Sequence, residues 1–326
     1  MIQQSKIKQH TILVVDDIES IRFAISDYLK NDFTTHTAKN GNEALDILKK
    51  ENIDLVITDI KMPEKDGLEL IEIIQKEYTK TKYVLMTAYS TDDYISYARR
   101  LKIWNIIPKT TLLDLRYVKI MATKILTGEI FGIDKYFPSS EKKTISTAEL
   151  MLLQKNSLIF KNDTLYTIEL TAIQNKESLC ETIGDILVSN GAASIIFQVI
   201  EELLSNAALH TGQNQPASQN KTSSEDKTFK IEFGVLENNS AISITDSAGS
   251  LTRDNILASL ERHVTPGNNG LPIGVNDLHG RGLFISREYL DHLIFNLEPN
   301  RRTEVIGILS HKRDQKYRAV SIYQRE

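Results

Sequence analysis

IDLVITDIKMPEKDG, residues Ile53–Gly67, decides the architecture of the first part of the chain. Its opening, IDLVITD, is a short apolar run of strand length that stops on an acid, Asp59. Its close begins DGLELIEIIQKEY, where apolar residues recur at helical spacing. A buried strand followed at once by an amphipathic helix is one step of a parallel crossover unit.

The same alternation extends in both directions. Upstream, TILVVDD and FTTHTA read as strands, and IESIRFAISDYLK and GNEALDILKKE as helices. Downstream, YVLMTA and IWNIIP read as strands, with DDYISYARR as a helix between them. Repeated strand–helix alternation predicts an α/β, doubly wound parallel sheet covered on both faces. Such sheets hold their ligands at the carboxyl ends of the strands.

Five polar residues fall at those ends: Asp16 and Asp17, Asp59, Thr87 and Lys109. Three convergent carboxylates repel one another unless a cation neutralises them. Magnesium suits such a site, because it takes a few carboxylates and keeps water in its other positions. One carboxylate can then attack a phosphoryl donor, with the lysine offsetting the developing charge and Thr87 donating to a phosphoryl oxygen.

With these motifs, VVDD, DIKMPEKDGLELI, MTAYS and the lysine of IIPKT, residues 10–125 resemble the receiver domains of response regulators, a flavodoxin-like fold. The resemblance implies that Asp59 is the phosphoacceptor and that Asp16 and Asp17 share Mg2+ with it. It also implies that the Lys61 carbonyl completes the protein ligands, that Thr87 and Lys109 read the phosphoryl group, and that a cognate sensor histidine kinase supplies it. Two positions depart from the family pattern: Thr110 follows the lysine in place of proline, and Ile106 stands at the usual switch aromatic.

The whole chain has 326 residues, 41% of them hydrophobic, with a formal net charge of -4. That length predicts two domains. The balanced, interspersed charge gives no footprint for nucleic acid or an anionic membrane. One cysteine, Cys180, allows no intrachain disulfide. The absence of a signal-like or bilayer-length apolar run sets the expectation of a soluble, cytoplasmic protein.

A helix is predicted in LLDLRYVKIMATKILTG, its apolar stripe serving either the sheet or a homodimer seam. The expected organisation is a receiver over 1–125, a linker over 126–144 and an output domain over 145–326. The linker stretch is rich in Gly, Pro, Ser and charge, and no histidine occurs between His36 and His210.

In the second half, IIFQVIEELLSNAALH is a periodic helix carrying Glu202 and Asn206 one turn apart on one face. An amide oxygen can ligate magnesium, and a carboxylate can orient water or take a proton. DSAGS places Asp246 at a strand end before Gly249, suited to accept an exocyclic amine at a close backbone approach. GRGLFISREYLD opens a helix on Gly280 and Gly282, where backbone N–H groups can hold a triphosphate. Polar residues 211–227 predict a mobile loop, and 263–279, rich in Gly, Pro and Asn, a second loop.

ELLSNAALH, DSAGS, the second loop, GRGL and the threonine of RRTEVIG resemble, over about 145–325, the gyrase, heat-shock chaperone and histidine-kinase (GHKL) ATPase superfamily. That implies an α+β two-layer sandwich of the Bergerat type binding ATP, most similar to the anti-sigma-factor serine kinases. By resemblance Asn206 binds the magnesium of ATP, Glu202 is the base, and Asp246 and Thr303 hold adenine. Gly249, Gly280 and Gly282 wrap base and phosphates, and the loop over 263–279 is the ATP lid. Ala248 and Ser250 replace the glycines usual in the aspartate box. The partner implied is an anti-anti-sigma factor or other sigma-factor regulator. A non-enzymatic partner-sequestering switch and a histidine kinase acting in trans are the alternatives.

Overall fold

The computed structural model describes residues 10–88, 99, 101–109, 113–173, 175–210, 228–262, 282–312 and 319–325. The chain divides into two compact units, Met1–Ile130 and Phe131–Glu326.

In the first unit, strands β1 (Thr11–Val15), β2 (Thr34–Ala38), β3 (Leu55–Asp59), β4 (Lys82–Thr87) and β5 (Ile106–Pro108) form one sheet in the order β2-β1-β3-β4-β5. Every pairing is parallel. Helices α1 (Glu19–Leu29), α2 (Gly41–Leu48), α3 (Gly67–Glu77) and α4 (Leu115–Thr127) connect and cover it. Their starts are fixed by side chains: Asn40 accepts from the Glu43 N–H, Asp114 accepts from the Tyr117 N–H, and Asp66 with Glu69 forms a reciprocal capping box. Helix α4 ends on Gly128, whose φ of 71° is the left-handed turn that glycine adopts without penalty.

Two buried clusters lie side by side on one face of the sheet, where the register aligns Leu13, Val56 and Tyr83 and, two residues on, Leu85 with Ile106. One gathers Leu13, Val15, Val56, Leu70 and Ile74, and the other Ile60, Ile71, Leu85, Ile103 and Ile106. Ile106 therefore spends its side chain on the second cluster. This flavodoxin-like parallel sheet is the fold that the alternation predicts.

The second unit is built on a mixed, seven-stranded sheet. Its strands are β6 (Glu141–Thr144), β7 (Thr164–Leu170), β8 (Phe229–Leu236), β9 (Asn239–Asp246), β10 (His292–Glu298), β11 (Arg302–Ser310) and β12 (Ala319–Gln324), ordered β12-β10-β11-β9-β8-β7-β6. β6 and β12 pair in parallel with their neighbours, and the strands between run antiparallel. Its helices are α5 (Thr147–Gln154), α6 (Lys176–Ser189), α7 (Ile196–His210), α8 (Arg253–Arg262) and α9 (Gly282–Tyr289). α6 and α7 pack closely because Gly184 carries no side chain: a Cβ there would lie 2.3 Å from the Phe197 ring.

The stretch 126–144, expected to be a linker, is structured at both ends. Leu126 and Thr127 close α4, Ile133–Lys135 make a 3-10 turn, and Glu141–Thr144 form β6. EKKT is exposed throughout and carries no apolar alternation, so only its pairing with β7 makes it a strand. Among the described helices, none is long and apolar enough to cross a membrane.

Candidate functional site

The carboxyl ends of β1, β3, β4 and β5 bring the first set of polar residues together. Asp16 is fully buried, Asp59 and Thr87 are buried, and Asp17 is exposed at the rim. Carboxylate oxygens of Asp16, Asp17 and Asp59 lie within 4.8 Å of one another, an all-oxygen set suited to a hard divalent cation. Lys109, leaving β5, puts its Nζ 2.6 Å from Asp16 Oδ2 and 3.0 Å from Asp59 Oδ1. Its backbone N–H donates to the Thr87 carbonyl at 2.5 Å, which ties the β4 and β5 ends.

Burial pushes the Asp59 carboxyl above the usual aspartate range, with Lys109 pulling down against it and Asp16 adding to the rise. Asp16 is itself braced: Oδ1 accepts from the Ile18 N–H at 2.9 Å, and Arg22 Nη1 donates to its carbonyl at 2.5 Å. Arg22 had no signal in the sequence, since an arginine on an exposed helix face reads as solvation.

The loop after Asp59, which carries Lys61, is held from two sides. Asn42 Nδ2 donates to Glu64 Oε2 at 2.9 Å, and the Gly41 N–H donates to the Lys65 carbonyl at 3.1 Å. Gly67 then turns the chain against Asp59 itself, its N–H donating to the Ile60 carbonyl at 2.9 Å. A Cβ at Gly67 would sit 2.0 Å from the Asp59 carbonyl oxygen and 3.1 Å from Thr58 Oγ1. Neither neighbour is a flexible side-chain end, so backbone must move. Gly67→Ala should destabilise this unit by about 3 kcal/mol or more, seen as a lower melting temperature in calorimetry of the full chain. An unchanged melting profile would show that the helix start can shift without cost.

In the second unit, Asp246 and Thr303 are direct cross-strand partners in the β9–β11 ladder. Both are buried, and Thr303 Oγ1 has no hydrogen-bond partner among the described residues. Asp246 Oδ1 accepts from the N–H groups of Ala248 (2.9 Å) and Gly249 (3.2 Å), so the carboxylate is fixed by its own following turn. Gly249 has φ 59°, and a Cβ there would lie 2.4–2.6 Å from backbone atoms of Glu298, Arg301 and Arg302. Its carbonyl accepts from the Asn300 N–H at 2.9 Å. The absent side chain at Gly249 thus serves packing on the β10–β11 turn.

Glu202 and Asn206 lie one turn apart on α7, half-buried. Burial raises the Glu202 carboxyl above the ordinary range, and Asn206 opposes that rise. Asn206 Nδ2 is buried without a hydrogen-bond partner among the described residues. Gly282 is the first residue of α9. Gly280, the loop 211–227 and the lid 263–279 lie outside the described residues.

The first unit has the parallel sheet and acidic pocket of a phosphoacceptor receiver, and sequence comparison agrees. The response regulator receiver domain family matches residues 12–116. Over 91 residues the chain is 37% identical to sporulation initiation phosphotransferase F of Bacillus subtilis (strain 168), covering 28% of this chain and 73% of that protein. It is 39% identical over 80 residues to regulatory protein AtoC of Escherichia coli (strain K12), covering 24% of this chain and only 17% of that one. A similar solved structure is the response regulator protein TrrA from Thermotoga maritima in complex with Mg2+ and BeF: 36% identity, TM-score 0.32, covering 36% of this chain and 99% of that chain. Through residues 12–116 the chain belongs to the response regulator receiver family.

Proposed function

We propose that this protein is a two-component response regulator in which phosphorylation of Asp59 by a cognate sensor histidine kinase controls an ATP-binding output domain. The receiver is read over 1–125 and the output domain over 145–326, a reading supported by the division into compact units between Ile130 and Phe131. The convergence of Asp16, Asp17 and Asp59 within 4.8 Å, with Lys109 seated between Asp16 and Asp59, supports the receiver chemistry. Asp16, Asp17 and Asp59, with the Lys61 carbonyl, would hold Mg2+, which when bound offsets negative charge on a transferring phosphoryl group. Asp59 is the nucleophile, Lys109 neutralises a phosphoryl oxygen, and Thr87 donates to another.

For the output domain the reading is a GHKL-type ATPase fold. The observation that carries it is the buried pair Asp246 and Thr303, facing each other across the ladder with the threonine hydroxyl unpartnered. A buried hydroxyl without a partner costs stability, and a base edge would satisfy it. Asp246 accepts the exocyclic amine of adenine, Asn206 holds the magnesium of ATP, and Glu202 is the general base. Gly282, the first residue of α9, and Gly280, two positions earlier in the sequence, give the triphosphate backbone donors. Burial keeps Glu202 closer to the pKa a base requires at neutral pH. The activity is that of a kinase acting on a partner protein, of the anti-sigma-factor serine kinase type.

A second reading, a phosphorylation-dependent switch that sequesters a partner without catalysis, is favoured by Gly249, whose backbone is spent on the β10–β11 turn. Labelled ATP separates the two. The kinase reading expects Asn206→Ala to weaken magnesium–ATP binding at least tenfold, about the worth of one lost charge-assisted contact. It expects Glu202→Ala to leave binding nearly intact while cutting turnover about 10²-fold. ATP binding without hydrolysis or transfer in the wild type would leave the switch.

A further inference from the structure

Strand β11 is used on both of its faces. Glu304, buried in the sheet, accepts from three donors: Ser243 Oγ at 3.0 Å on Oε1, and on Oε2 both Asn296 Nδ2 at 2.7 Å and the Gly132 backbone N–H at 2.9 Å. Arg302, two residues earlier and on the same face, lays its guanidinium carbon 3.7 Å from the centroid of the Phe131 ring. Arg302 is oriented by donating Nε to Glu298 Oε2 at 2.9 Å. Consecutive residues of one segment, Phe131 and Gly132, are therefore gripped by alternate residues of one strand. Ile133, Tyr136 and Phe137, buried behind them, anchor the rest of the segment.

Thr303 lies between the two gripping residues and points to the opposite face. That face also carries Gly307, where a Cβ would meet the Leu290 side chain just after α9. On it Thr303 stands across from Asp246. A buried carboxylate is costly unless its acceptor capacity is filled. Glu304 fills part of that capacity with a backbone N–H from the segment that begins the second unit. Gly128, where α4 ends, is followed by only Glu129 and Ile130 before Phe131.

We propose that Phe131–Gly132 is a strap through which the phosphorylation state of Asp59 acts on β11, with Glu304 and Arg302 as its positioning residues. A shift of the strap moves the strand that presents Thr303 to Asp246. The consequence for nucleotide rests on the reading of that pair as the adenine subsite; the movement of the strap does not.

Amide hydrogen exchange on the full chain, with and without magnesium and beryllofluoride, reads the movement directly. The expected result is a change of at least about fivefold at Gly132 and along β11 when beryllofluoride is added, absent in Asp59→Ala. In Glu304→Ala these amides exchange fast in both conditions. Glu304→Gln restores the response, since its amide oxygen can accept from Asn296 and Gly132 while its NH2 donates to the Ser243 hydroxyl. Should Glu304→Ala not fold, Phe131→Ala, at a half-buried ring, carries the same expectation. Wild-type exchange that ignores beryllofluoride, or a Glu304→Ala or Phe131→Ala chain that responds like wild type, overturns the strap. A parallel titration with a fluorescent ATP analogue keeps the readings apart. Exchange that responds while no analogue binds removes the adenine subsite and leaves the strap standing.

Discussion

Incubated with acetyl phosphate and magnesium, the wild-type chain should incorporate one phosphoryl group, and Asp59→Ala should incorporate none. The Asp59 carboxylate oxygen forms the new bond to phosphorus, and acetate leaves with the electron pair of the bond that breaks. Lys109→Ala should slow the reaction about 10²-fold, the scale expected when one preorganised charge donor is removed. In the structure Lys109 lies 2.6 Å from Asp16 and 3.0 Å from Asp59, so its removal also leaves two close carboxylates without their cation. Chelating magnesium should stop incorporation for the same reason. The pH dependence has a defined sign. Burial raises the pKa of Asp59, and magnesium bound beside the carboxylate opposes that rise, so the acid-side loss of incorporation should move to lower pH as magnesium is increased. Phosphate-affinity electrophoresis measures the phosphorylated fraction. Stable label on Asp59→Ala would move the phosphoacceptor elsewhere and remove the mechanism.

This site was legible because strand ends are legible. TILVVDD, IDLVITD, YVLMTA and IWNIIP each announce where a strand stops, and parallel topology sends all those ends to one edge. What the sequence hid is tertiary. Gly67 reads as an ordinary helix start, and its need for no side chain appears only beside the Asp59 carbonyl. Other signals are local: S-T-A-E at Ser146–Glu149 is the capping-box pattern that opens α5. Thr252 likewise accepts from the Asn255 N–H at the start of α8, ahead of Ile256, Leu257 and Leu260, a cap and periodicity available from sequence.

The strap is the clearest case. Phe131 and Gly132 sit among the composition of a linker, and Arg302 and Glu304 carry no local sign of a tie to it. Glu304 and Gly132 are 172 positions apart, and nothing local in either segment encodes the other. Asp246 and Thr303 likewise meet only because β9 and β11 pair antiparallel; the sequence brought them together through the family resemblance alone.

Asp246→Asn should weaken ATP binding about 10²-fold while leaving the fold intact. The substitution is isosteric, and its amide oxygen can keep the two bonds that Asp246 Oδ1 accepts from the Ala248 and Gly249 N–H groups. Its NH2 then replaces the other carboxylate oxygen and meets the exocyclic amine of adenine donor to donor. Loss of a hydrogen bond to a charged acceptor is worth about 1.5–3 kcal/mol, which sets the scale of the effect. Guanine presents a carbonyl at the equivalent position, so Asp246→Asn should bind a GTP analogue better relative to ATP than wild type does. Thr303→Val supplies the control. It removes a buried hydroxyl that has no partner among the described residues, and should raise thermal stability by about 1 kcal/mol while weakening ATP severalfold. A purely structural role for the pair predicts the opposite pattern, with stability lost and nucleotide preference unmoved. Titration of fluorescent ATP and GTP analogues, paired with melting curves, decides between them. Wild-type ATP affinity in Asp246→Asn would falsify the adenine subsite.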